Sequence, residues 1–320
     1  MVAVESAGDG QSLGYRGMTV RTRQTFGVNV SRGSVPDAQR RLDPGGVASR
    51  AKRRLSRREY ESAGPNAVWH IDQNDKLRQF GFETHAAIDG WSRKILWLRM
   101  EASNRLPEQI LGYYIAAVQL VGYMPDVQRS DRGAEDMMVA AVQVHYHGES
   151  SHLFGRSVSN RWNQMYDGVI SFWIDFFKRL ETTGKYNIDD QYVYRCAIYV
   201  FADLIEATLD KVFEWWNNHV MRQSIKNPGG VPDFLYNHPE LYGGKESGRR
   251  VPPMFVEHCN EAFSGCDADL ENLFGLAADR PVFTVALQRC QLFPVTRDNM
   301  LDAFLYLRQV REEVHPLLSA

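Results

Sequence analysis

Between Val68 and Asp131 the apolar positions follow a strand period, change to a helical one, and change back. Val68–Asp72 (VWHID), Gly81–Asp89 (GFETHAAID) and Ile95–Met100 (ILWLRM) each read as a strand, with a turn at Asp89-Gly90 joining the second to the third. Pro107 suits the first position of a helix, and EQILGYYIAAVQLVGY keeps apolar residues at helical spacing until Gly122 and Pro125 end it. Asp126–Asp131 is a fourth strand. Ala134–Tyr146 then reads as a helix, Gly148–Gly155 as a loop, and Val169–Leu180 as an amphipathic helix packing through Phe172, Trp173, Phe176 and Phe177. The order is βββαβ followed by helices.

The flanks are less patterned. Residues 1–17 are rich in Gly, Ser and acidic residues, show no apolar period, and are expected to lack structure. Residues 18–63 hold a helical pattern around Phe26–Ser31, in which Ser31 is placed to cap a helix running to Leu42 despite Pro36, like the remnant of a helix-turn-helix. On the other side, Tyr192–His219 reads as one long helix or two, its aromatic residues being core rather than a base-stacking platform. A core of residues 64–245 is thus expected, with residues 246–320 a helical accessory tail in which little chemistry is visible.

Composition narrows the function classes. At 320 residues and 44% hydrophobic, the chain can bury a core. Its net charge of −2 gives no global field for nucleic acid or acidic lipid, so any such contact needs a local patch. One exists: Arg40, Arg41, Arg50, Lys52, Arg53, Arg54, Arg57 and Arg58 put eight positive charges into the nineteen residues 40–58. So dense a run in a near-neutral chain suits a phosphate-contacting arm, against a solvated linker or a localisation signal. Four cysteines without a CxxC pair suggest reduced thiols, and no segment reaches about 18 uninterrupted apolar residues. The N-terminus lacks the regions of a signal peptide. An intracellular, non-secreted protein with no membrane span is expected.

The chemistry concentrates where two strands end in aspartate, Asp72 and Asp131. In a βββαβ sheet this is the layout of ribonuclease-H-like polynucleotidyl transferases. There, two Mg²⁺ ions about 3.5 to 4 Å apart need bridging oxygen ligands on either side of an in-line phosphoryl displacement. Asp72 at the sheet centre would bridge them, Asp131 would hold one ion, and a carboxylate from a later helix the other. Aspartates at strand ends are common in α/β proteins, so the pair alone does not separate a metal site from a structural one. His145-Tyr146-His147 and His258-Cys259 with Cys266 lack the spacing of a zinc site. Glu135 reads as a helix N-terminal charge.

Further residues sharpen this. Gly64-Pro65-Asn66, Trp69-His70-Ile71-Asp72, Asp75-Lys76-Leu77, Gly81-Phe82, His85, Ile88-Asp89-Gly90 and Ser92-Arg93-Lys94-Ile95-Leu96-Trp97 form one series. It continues in Ser130-Asp131-Arg132-Gly133 with Glu135, Gly155-Arg156-Ser157-Val158-Ser159-Asn160, Trp216-Asn217, Pro232-Asp233 and Pro239-Glu240-Leu241-Tyr242-Gly243. The series resembles the integrase core domain of DDE transposase and retroviral-type integrase proteins, in the form found as single genes in animals and fungi. It covers roughly residues 18–243. The resemblance implies a ribonuclease-H-like fold, a transposon-derived protein of DNA integration, Mg²⁺ or Mn²⁺ if active, DNA as partner, a possible homo-oligomer, no small-molecule substrate, and a nuclear location. The alternative is a non-catalytic DNA-binding or protein-interaction module that keeps the fold as scaffold.

One departure bears on activity. Where the resemblance implies Gln-Arg-Ile-Glu after Asn160, with the Glu as third metal ligand, this chain reads Arg161-Trp162-Asn163-Gln164-Met165-Tyr166-Asp167-Gly168. No glutamate lies between Glu149 and Glu181. Aligning both flanks leaves about five residues missing; without a gap, Gln164 takes the position. Asp167, 36 residues after Asp131, is the acidic residue that could substitute. A five-residue deletion turns a helix by more than one turn, so spacing does not fix its facing. An impaired enzyme is expected, with Asp72 and Asp131 as the retained ligands.

Overall fold

The computed structural model describes residues 1–8, 10, 13–31, 33–52, 62–101, 106–131, 133–154, 159–223, 228–263 and 277–318, with backbone alone at 7, 49–52, 154 and 159–169. At the N-terminus stand α1 (Val2–Ala7), α2 (Tyr15–Phe26), α3 (Ser34–Leu42) and α4 (Pro44–Lys52). Then come β1 (Val68–Asn74), β2 (Glu83–Asp89), β3 (Ile95–Glu101), α5 (Pro107–Val121), β4 (Tyr123–Met124) and β5 (Val127–Ser130). The chain continues through α6 (Met137–His147), β6 (His152–Phe154), α7 (Ser159–Thr182), α8 (Gln191–Asn218), α9 (Pro232–Asn237) and β7 (Arg249–Arg250). It closes with α10 (Phe255–Ala262), α11 (Arg280–Arg289), α12 (Met300–Gln309) and α13 (Arg311–Val314).

Five strands form a mixed sheet in the order β3-β2-β1-β5-β6, antiparallel through β3, β2 and β1 and parallel from β1 to β6. It is the sheet of a ribonuclease-H-like fold, as expected. Gly148–Gly155, read as loop, contains the fifth strand: β6 pairs Gln128 with His152 and Ser130 with Phe154. Three residues are too few to show a period, and parallel pairing is long-range.

Alternation along the strands builds two cores. From β1, Trp69 and Ile71 meet Ile110, Leu111, Tyr114 and Val118 of α5 and Val139 and Val142 of α6. The other face of β2 offers Ala86 and Ile88 to Trp173 and Phe177 of α7 and Ala197, Val200 and Phe201 of α8. Local signals set the helix ends. Pro107 opens α5, and Gly122, at φ 75°, closes it in a left-handed turn that a Cβ would strain. The Asp190 carboxylate accepts from the N–H groups of Tyr192 and Val193, capping α8.

Two parts of the chain are more integrated than their sequence suggested. Within 1–17, Glu5 of α1 is buried in an ion pair with Arg21 of α2 at 2.9 Å, and Leu13 joins Met18 and Val35 in a small core against Trp215 of α8. The partner that orders Glu5 lies 16 residues away, beyond any local pattern. Ser31 accepts from the Ser34 N–H at 3.3 Å where α3 begins, and Pro36 sits in the first turn, where no donor is required. The tail is no appendage. Phe255 and Cys259 of α10 complete the α5–α6 core, while Phe283, Leu287, Phe304 and Leu307 of α11 and α12 complete the α7–α8 core.

Several residues of the resemblance gather at the start of β1. The Asp89 carboxylate accepts from the N–H groups of Asn66, Trp91 and Ser92 and from the Ser92 hydroxyl. The Asn66 side chain accepts from Trp69 Nε1 and the Tyr236 hydroxyl and donates to Glu246. At the end of α8, Trp216 Nε1 donates to the Arg93 carbonyl at 2.6 Å. Asn217 holds both the N–H and the carbonyl of Ile95, at 2.8 and 3.0 Å, and Glu206 accepts from the Met100 N–H at 2.8 Å. Trp216 and Asn217 fasten the start of β3 to α8, and Glu206 fastens its far end, the end that pairs through Thr84 with the Asn74 end of β1.

Candidate functional site

Asp72 stands near the end of β1, the middle strand of the sheet, opposite Ala86 of β2. Alternation puts it on the face of Ala86 and Ile88, the face that α7 and α8 cover. Asp131 is exposed and immediately follows β5. The parallel register pairs Val68 with Val127, Trp69 with Gln128 and His70 with Arg129, an offset of 59 in each case (127 − 68, 128 − 69, 129 − 70). Asp72 and Asp131 differ by the same 59 (131 − 72), each two residues beyond the last pair of that register, with Asp131 just outside β5. Their carboxylates are hard oxygen donors of the kind that Mg²⁺ or Mn²⁺ takes.

The third position is different. α7 extends back to Ser159, ten residues earlier than its apolar period suggested, so Gln164 and Asp167 lie on this helix, but their side chains are outside the described residues. Among the described residues no three His, Cys, Asp or Glu are placed to hold a metal ion, which includes the His145–His147 and His258–Cys259 pairs. Among the described residues, the candidate donors for a hard cation are thus the carboxylates of Asp72 and Asp131.

The neighbour of Asp72 on its own face is a buried histidine. His70, one turn of alternation before it on the same face, is fully buried. Its pKa is pushed down to about 3, by burial first and then by the nearby Arg93 and Arg129 charges, so the ring is neutral at ordinary pH. Glu135, read as a charge on the first helical turn, instead precedes α6 and is buried, its carboxylate lying over Gly133. A Cβ at position 133 would occupy that carboxylate's place.

Sequence reasoning overlooked a group beside this pair. Trp97 Nε1 donates to His85 Nδ1 at 3.0 Å, His85 Nε2 stands 3.7 Å from Asp136 Oδ1, and His152 Nε2 lies 3.4 Å from the Ser130 hydroxyl. His85 appeared only as one residue of the resemblance, and nothing local marks Asp136. Of the basic segment, Arg40 pairs with Asp37 at 2.7 Å on the surface and Arg41 is exposed. Arg50 and Lys52 lie on α4 with backbone alone described, and Arg53, Arg54, Arg57 and Arg58 fall outside the described residues. No helix among the described residues is long and apolar enough to cross a membrane.

No curated protein matches the chain. Residues 59–240 match the model of the integrase core domain, 182 of 320 residues (240 − 59 + 1). That span begins just before the Asn66–Asp89 network and takes in β1 to β6, Asp72, Asp131 and all of α7 and α8. Domains of this type are typically divalent-metal dependent. On the fold and this match together, the chain belongs to the integrase core domain family, with an integrase- or transposase-like origin.

Proposed function

We propose that the chain is a mobile-element-derived integrase whose ancestral reaction was Mg²⁺-dependent DNA strand transfer and whose own catalysis is impaired. The observation that carries this reading is the parallel pairing of β1 with β5, the strands that lead to Asp72 and Asp131, together with a sequence that has no glutamate between Glu149 and Glu181. Asp72 and Asp131 would hold the divalent ion, Mg²⁺ or Mn²⁺, which when bound neutralises charge on the attacking and leaving oxygens of the phosphoryl group. The chain's own contribution is to fix these carboxylates at the end of a rigid sheet. In this reading Arg50, Lys52, Arg53, Arg54, Arg57 and Arg58 are the DNA-phosphate contacts, for which the density of positive charge in residues 40–58 is the support, and a nuclear location and action as a multimer go with it.

The purified chain is expected to give no more than trace strand transfer with Mg²⁺ or Mn²⁺. Inserting a Gln-Arg-Ile-Glu segment between Asn160 and Trp162 should raise it, since even an indirect partner of a metal ligand is worth roughly 10- to 100-fold. Robust transfer by the unmodified chain, abolished by Asp167→Asn, would show that Asp167 has taken the third place and that the chain is a competent enzyme.

A second reading, a non-catalytic DNA-binding module, is favoured by the density of the basic segment. Replacing Arg53, Arg54, Arg57 and Arg58 with Ala should weaken duplex binding evenly across sequences. The log–log salt slope should flatten by about 0.9 for each phosphate that the variant no longer neutralises. A slope that does not change returns this segment to a solvated linker.

A further inference from the structure

Asp136 is the residue before α6, where an aspartate ordinarily accepts from the first free amides of its helix. It makes no such bond. Its side chain turns inward, 4% exposed, and Oδ1 is buried without a hydrogen-bond partner, which is costly at a carboxylate. Forgoing the cap adds to that cost. Something must favour this orientation, and the nearest candidate is the ring of His85, whose Nε2 faces Oδ1 at 3.7 Å.

That ring is itself fixed. Trp97 Nε1 is an obligate donor, so His85 Nδ1 accepts from it and the neutral imidazole carries its proton on Nε2, toward Asp136. The planes of the two rings are within 8° of parallel, and His85 is 1% exposed. The line runs from Trp97 on β3 through His85 on β2 to Asp136 ahead of α6. His85 is opposite Gln73, the residue after Asp72, and Asp136 ends the segment that begins with Asp131. From the other side, His152 of β6 reaches Ser130, the residue before Asp131, and feels the Asp136 charge, which counters the lowering of its own pKa by burial.

We propose that His85 and Asp136 are positioning residues that fix residues 133–136, and through them the placement of Asp131, against the end of β1. Its meaning for metal binding rests on the function proposed above; its structural content does not. Glu135, tucked over Gly133, packs the same segment from within.

The test uses the full chain with Asp136→Asn, which keeps the shape and removes the charge, and Trp97→Phe, which removes the donor that sets the His85 tautomer. Amide exchange over residues 133–140 should quicken by about tenfold in both, while exchange in α8 stays as in the parent. Mn²⁺ affinity, read by calorimetry, should fall roughly 10- to 100-fold in Asp136→Asn. Unchanged local exchange in Asp136→Asn overturns the positioning role, whatever happens to Mn²⁺. Faster local exchange in a chain whose parent binds no Mn²⁺, and is indifferent to Asp72→Asn, upholds the positioning role and removes the metal reading instead. Should Trp97→Phe fail to fold, Asp136→Asn decides alone.

Discussion

A chain cut after Gly243 is expected to lose its cooperative unfolding transition, although it keeps the whole of the matched integrase core. Phe283, Leu287, Phe304 and Leu307 are fully buried in the same core as Phe177, Val200 and Phe201. Burying such a side chain contributes about 1.5–3 kcal/mol, so these four contribute roughly 6–12 kcal/mol, comparable to the whole net stability of an ordinary domain at about 5–15 kcal/mol. Polar ties would be lost as well. The Tyr192 hydroxyl donates to the Leu307 carbonyl at 2.6 Å, Arg195 pairs with Asp279 at 3.2 Å, and Arg280 grips Asp203 through two bonds of 3.0 Å. Circular dichroism on heating checks this. A truncated chain melting cooperatively within a few degrees of the full one would mean that α11–α13 only rest on the core. For a single site, Phe304→Ala should cost about 3–5 kcal/mol in a urea titration.

Stability should peak in mildly acidic solution and fall on both sides. Glu101 ends β3 opposite Glu83 of β2, almost fully buried. Burial first, then the charges of Glu206 and Glu83, push its pKa up to about 8, against the Tyr113 hydroxyl beside it. Glu206 is pushed up to about 7, mainly by burial, with Arg99 opposing. Both folded values exceed the ordinary 4.5, so the folded state holds protons that the unfolded chain releases. The stability this confers is complete below about pH 4.5 and is lost as pH rises through 7 to 8. His70 acts in the opposite sense. Its folded value, about 3, lies below the ordinary 6.5, so the stability from keeping it neutral is present above pH 6.5 and lost as pH falls toward 3. The maximum should therefore lie near pH 4.5, where the two glutamates together offset His70, with changes on the order of a few kcal/mol over each limb. Urea midpoints between pH 4 and 9 measure the curve, and Glu101→Gln should flatten its alkaline side. A midpoint constant from pH 6 to 9 in the parent chain would contradict the burial of an uncharged Glu101.

What the sequence made legible follows from the range of each interaction. β1, β2, β3, β5 and α5 have periods, turns and a proline that act within a few residues, and they stand within about two residues of where the pattern put them. Asp72 and Asp131 were expected at strand ends; β1 runs two residues past Asp72, and Asp131 follows β5, the parallel neighbour of β1. β6 was invisible because three residues carry no period. The tail looked accessory because α11 and α12 are ten residues each, and a short amphipathic helix does not say which core it joins. Asp136 could not be singled out because its partner, His85, is 51 residues away and on a different element (136 − 85 = 51).

The grip of α8 on β3 also decides how copies of this protein can meet. β3 is an edge of the sheet, and an edge strand with free amides invites another strand to add to it. Here Asn217 already answers both polar groups of Ile95, and Glu206 already accepts from Met100, so a helix supplies through side chains the pairing that an incoming strand would offer. Sheet-to-sheet growth along this border would have to displace both residues. Along this border, contact between copies therefore falls to helical and loop surfaces, and β3 is spared the runaway pairing to which exposed strand borders are prone.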